Sequence, residues 1–103
     1  DIHKMKKKYS EAIRYYREAL PTIESKGSTT PHTMKQLAES CYYAGECRKG
    51  LAAYRTLARR YPGFLGDGYS PRRMVRYLES QGGDVVEMEL LRRLVESLQD
   101  PPL

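Results

Sequence analysis

Apolar residues recur at three- and four-residue steps in one segment after another, and glycine or proline closes each segment. Ile2, Met5, Tyr9, Ala12, Ile13, Tyr16, Ala19 and Ile23 mark one face of a first helix, with Lys4, Lys8, Glu11, Arg14 and Glu18 opposite. Pro21 has no amide donor and is expected to end or kink that helix near Leu20. "ESKGSTT" reads as a loop, with Gly27 a candidate terminator. Thr30 then caps a second helix that starts at Pro31, because proline suits a first position whose amide is unpaired anyway. Its apolar face is Met34, Leu37, Ala38, Cys41 and Tyr42.

The turn "AGE" at Ala44 to Glu46 leads into a third helix from about Cys47 to Arg60, which buries Leu51, Tyr54, Leu57, Ala58 and Tyr61. "YPGFLGDGYSP" is the clearest loop, and Ser70 with Pro71 repeats the cap-then-proline start. A fourth helix carries Met74, Val75 and Leu78 until Gly82 and Gly83 break it. Asp84 and Glu87 form a capping box for a fifth, with Met88, Leu91, Leu94, Val95 and Leu98 on its apolar face. The chain therefore reads as all-α, about five helices and no strand, with short turns that favour antiparallel hairpins.

At 103 residues this is one domain or part of one. It opens on Asp1 without an initiator Met and is expected to be a piece of a longer chain. A composition 40% hydrophobic and 30% charged is not that of a disordered chain. No apolar run suits a membrane span or a signal peptide. Two cysteines are too few for a disulfide framework, and Cys41 and Cys47 lie far from His3 and His32, in no zinc pattern. Free thiols point to a reducing, intracellular compartment, cytoplasmic or nuclear. The net charge of +5 favours an acidic partner.

An internal repeat is visible when Ala12 is aligned with Gly50. Tyr16 then falls on Tyr54 and Ala19 on Leu57, so "YSEAIRYYREAL" matches "CRKGLAAYRTLA". Leu37, Ala38, Gly45, Gly50, Tyr54 and Pro62 stand at matching spacing, with Leu57 in place of the second small residue, and here the chain resembles a tetratricopeptide repeat (TPR). The resemblance implies a short right-handed superhelical array of stacked hairpins: a partial unit over 1–28, a unit over 30–63 and a weaker one over 69–100. In that third unit Met74, Val75, Leu78 and Gly82 fit, but the second helix lacks the small–aromatic–small series.

Catalytic motifs are missing. There is no phosphate-binding glycine loop, dinucleotide fingerprint or H-E-x-x-H. "GFLGDG" has neither a preceding strand nor a following lysine with serine or threonine. Cys41 would lie about 13 Å along the helix from His32, too far for direct proton transfer. The expectation is a non-catalytic protein with no cofactor and no metal.

TPR arrays bind in the concave groove lined by the first helices of successive units. Transferred to this sequence, the resemblance implies a mainly basic partner-binding groove formed by His32, Lys35, Glu39, Tyr42 and Tyr43 with Arg72, Arg73 and Arg76. The carboxylate clamp of chaperone-binding members needs asparagines. This chain has no asparagine, and Glu39 stands where one would be needed. The leading expectation is thus a protein–protein interaction scaffold for a peptide or partner domain. The alternative is RNA binding, suggested by the "KMKKK" run at Lys4 to Lys8 and by arginines beside tyrosines that could stack on bases. Self-association through the first helix is a third reading.

Overall fold

A computed structural model describes the backbone of residues 2–26 and 30–99 and the side chains of residues 7–19 and 30–98. Five helices and no strand fill the described residues: α1 (Ile2–Lys26), α2 (Thr30–Tyr43), α3 (Cys47–Arg60), α4 (Tyr69–Ser80) and α5 (Val85–Gln99). Helix α2 packs along both α1 and α3, and α4 pairs with α5. The two later hairpins lie side by side, with α2 next to α4 and α3 next to α5. The body is a slab with Cα extents of 38 × 34 × 17 Å.

The main core lies between these two hairpins and joins Met34, Ala38 and Tyr42 to Leu51, Tyr54, Leu57, Met74, Val75, Leu78, Met88, Leu91 and Leu94. Each fully buried side chain of this size contributes about 1.5–3 kcal/mol of transfer free energy. Helix α1 is attached by a smaller cluster, Ile13 with Leu37 and Cys41, flanked by Tyr16 and Ala44. The expected apolar faces of α2 to α5 are thus the buried ones, with Ala58, Tyr61 and Leu98 half-buried at the edges. In α1, Tyr9, Ala12, Tyr16 and Ala19 are half-buried. The side chains of Ile2, Lys4, Met5 and Ile23 lie outside the described residues, as does Gly27.

Four helix ends differ from the sequence reading, α2 by a single residue, since it starts at Thr30 rather than at Pro31. Helix α1 continues through Pro21 to Lys26. Proline's fixed φ is compatible with a helix, and its missing amide orphans only the carbonyl four residues back. That carbonyl belongs to Arg17, an exposed residue. Helix α4 begins at Tyr69, with Gly68 at its cap in the left-handed region (φ 82°), and the Tyr69 amide donates to Asp67 Oδ1 at 3.1 Å. Ser70 therefore lies inside the helix and its hydroxyl is free for another task. At α5 only half of the capping box forms. Asp84 Oδ1 accepts from the Val86 and Glu87 amides at 2.7 and 3.2 Å, while Glu87 faces Arg48 at 3.4 Å.

Gly50 sets the spacing of α2 and α3. A Cβ there would stand 2.7 Å from the Tyr42 ring and 3.1 Å from the Ala38 carbonyl oxygen. Only a residue without a side chain permits that approach, and Tyr42 occupies the space it leaves.

Candidate docking surface

Four-residue spacing places Lys35, Glu39 and Tyr43 in one stripe of α2 and Tyr69, Arg73 and Tyr77 in one stripe of α4. Because α2 lies beside α4, the stripes meet, and α1 adds Tyr9. The Tyr9 and Tyr43 rings stack with centroids 4.8 Å apart and planes at 28°. Tyr77 meets Tyr43 edge-on, at 4.7 Å and 78°. Arg73 reaches over this group. Its Nη2 donates to the Tyr43 hydroxyl at 3.4 Å, and its guanidinium lies 5.9 Å from the Tyr69 ring centroid. Three helices thus supply one aromatic pad with a cation on it. Tyr9, Tyr43 and Tyr77 are half-buried, whereas Tyr69 and Arg73 are exposed.

A polar chain holds the pad from beneath. The Ser70 hydroxyl donates to Glu39 Oε2 at 2.6 Å and lies 2.7 Å from the Tyr54 hydroxyl. Ser70 has one proton and gives it to the carboxylate, so Tyr54 must be the donor to Ser70. The chain runs Tyr54 to Ser70 to Glu39 and ties α3, α4 and α2 together. Burial pushes the Tyr54 phenol far above its ordinary pKa, partly offset by the Ser70 bond. Tyr77 is also raised, by its own burial first and then by Tyr43 and Tyr9. Both stay protonated donors at neutral pH.

Of the residues expected in a groove, the structure brings Glu39, Tyr43 and Arg73 together, and Lys35 stands one turn before Glu39 in the same stripe. His32 lies farther along the same side of α2, exposed and edge-on to Phe64 at 5.1 Å. Tyr42 does not reach the surface. It is 1% exposed, packed on Gly50 and tilted against Tyr54 at 5.8 Å, because its position belongs to the apolar stripe of α2. Arg72 pairs with Asp67 at 3.1 Å, and Arg72 and Arg76 line an open cleft of about 380 Å³ between α4 and α5, with Val75, Glu79, Arg92, Val95 and Glu96. The three arginines are consecutive in pattern but do not form one cluster.

Tyr9, Tyr69 and Tyr77 were not anticipated as site residues. The signal available was the i, i+4, i+8 series Tyr69–Arg73–Tyr77, which is visible only once α4 is extended back to Tyr69. Ser70 was read as a cap, and no local pattern announces a hydroxyl reaching to Glu39.

Other open clefts lie elsewhere, one of about 570 Å³ around Cys47, Leu78, Gly83, Asp84 and Glu87. No group of three or more potential metal ligands occurs among the described residues, and none of the described helices is long and apolar enough to cross a membrane. Comparisons with protein-family models, with curated proteins and with solved structures found no match to this chain.

Proposed function

We propose that this chain is a non-catalytic protein–protein interaction module, a TPR-like helical scaffold that docks an acidic peptide across α1, α2 and α4. The observation that carries the reading is the Tyr9–Tyr43–Tyr77 cluster with Arg73 beside it, on the Tyr43 hydroxyl and the Tyr69 ring. Tyrosine and arginine are the side chains that concentrate binding energy at interfaces. Here their rings already touch one another, so little rotamer freedom remains to be lost on binding. Arg73 has no carboxylate within salt-bridge range among the described residues, whereas Arg48, Arg72, Arg92 and Arg93 each face one. Tyr43 and then Glu39 hold the Arg73 pKa up without forming an ion pair with it, and the exposed guanidinium keeps donors for a carboxylate from outside. The free thiols of Cys41 and Cys47 accord with an intracellular setting.

RNA binding draws less support from this geometry. Arg72 and Arg76, which were expected to flank the tyrosines, line the α4–α5 cleft instead, and Arg72 is neutralised by Asp67. The test is a titration of labelled acidic peptide pools and of single-stranded RNA, against wild type, Arg73→Glu and Arg72→Glu/Arg76→Glu. The docking reading expects peptide binding that only Arg73→Glu removes. RNA binding with a steep loss between low and moderate salt, together with no peptide binding, would replace it.

A further inference from the structure

Resting on the docking reading above, we infer that the occupant of the tyrosine face is a proline-rich segment in the polyproline II conformation. Its proline rings lie on Tyr9, Tyr43 and Tyr77, and an acidic residue beside them pairs with Arg73.

The shape of the face favours such a ligand. Its rings fill the space between themselves: Tyr9 covers one neighbour by stacking, and Tyr77 closes on Tyr43 edge-on. An amphipathic helix inserts Leu or Phe anchors into pockets, and four open clefts of about 330–570 Å³ are each lined by residues other than these tyrosines. A flush aromatic pad instead suits flat proline rings, the contact that aromatic-lined grooves make with polyproline II segments. The dimensions agree as well. The two ring-to-ring steps of 4.8 and 4.7 Å put Tyr9 and Tyr77 within about 10 Å of each other. One turn of polyproline II advances ~9 Å, so a single turn is long enough to reach across the three rings.

Hydrogen-bond chemistry points the same way. Among the described residues the hydroxyls of Tyr9, Tyr69 and Tyr77 have no side-chain partner, and Arg73 donates only to Tyr43. Glu39, the carboxylate in the α2 stripe, already accepts a hydrogen bond from Ser70. The face is therefore rich in donors. A polyproline II chain has no internal hydrogen bonds, so its carbonyls are all available, and each proline removes an amide that would need an acceptor. An acceptor-rich strand meets a donor-rich surface. Charge completes the match, because Arg73 and, one turn beyond Glu39, Lys35 leave positive charge on the face for an acidic residue flanking the prolines.

The test uses fluorescence anisotropy with two short labelled peptides of equal charge. One repeats the triplet proline, proline, glutamate, so that prolines recur three residues apart on one side of the helix, and the second has every proline replaced by alanine. The expected result is at least about tenfold tighter binding of the proline peptide, lost by about tenfold or more in Arg73→Glu. Arg73 is exposed, so that variant should fold normally, with circular dichroism as the check. Tyr77→Leu, which keeps the apolar bulk but removes the ring and hydroxyl, should weaken the proline peptide selectively. Equal affinity for both peptides, with both lost in Arg73→Glu, would overturn the polyproline inference and leave the docking reading intact. No saturable binding of either peptide up to about 1 mM would overturn both.

Discussion

Replacing Ser70 by alanine should destabilise the fold far more than loss of a helix-cap serine would. Ser70 is 6% exposed and stands between a fully buried phenol and a half-buried carboxylate. Removing its hydroxyl leaves the Tyr54 O–H buried without an acceptor, which costs about 1–3 kcal/mol. Glu39 also loses a charge-assisted bond. Such bonds are worth about 1.5–3 kcal/mol, but water reaches this half-buried carboxylate, and about 1 kcal/mol is the appropriate share. The expected total is about 2–4 kcal/mol, a large part of the ~5–15 kcal/mol available to a domain of this size. Urea denaturation followed by circular dichroism would read it as a lower midpoint with an unchanged slope. The partner variant tests the proposed proton order. Tyr54→Phe in the Ser70→Ala background removes the orphaned donor, so the double variant should be no less stable than Ser70→Ala alone and should show a coupling of about 1–2 kcal/mol. A Ser70→Ala loss below about 0.5 kcal/mol, or strictly additive single variants, would refute the chain from Tyr54 to Glu39.

Further expectations follow from the core and its titrating groups. Gly50→Ala should cost about 1–3 kcal/mol despite alanine's better helix propensity, because its Cβ meets the Tyr42 ring at 2.7 Å; thermal melts would register the loss. Burial pushes the Cys41 thiol from 9.0 up to about 11. Since the unfolded chain releases that proton first, folding stability should fall as pH rises through this interval, and denaturation at stepped pH should show a shallower slope for Cys41→Ala. Tyr42 and Tyr54, raised by burial above their ordinary 10.0, extend the decline to higher pH. Iodoacetamide should label the half-buried Cys47 well before Cys41, which is 1% exposed; mass spectrometry of the timed reaction distinguishes the two.

The helices were legible because their signals are local. Three- and four-residue steps, a proline or an acid at a start and a glycine at an end suffice to delimit α3 at Cys47–Arg60 and to find the buried faces of α2, α4 and α5. Pro21 does not end α1, because a helix interior tolerates proline where the orphaned carbonyl is open to solvent, and exposure at Arg17 is a tertiary fact. Leu65 was missed as a core residue, since it is carried by an apparently open loop, yet is 7% exposed. The site was only partly legible for a related reason. Which face of α2 meets α4 decides that Tyr43 reaches the surface and Tyr42 does not, although the two are adjacent and chemically identical. Likewise Arg72 and Arg73 differ by about 100° around α4, enough to send one to Asp67 and the other onto the tyrosines.

The most direct measurement is a two-dimensional amide NMR titration of the labelled protein with the proline–glutamate peptide. The account predicts shifts concentrated at Tyr9, Tyr43, Tyr69, Arg73 and Tyr77, absent in Arg73→Glu. Shifts concentrated instead around Arg72, Arg76 and Arg92 in the α4–α5 cleft would contradict it.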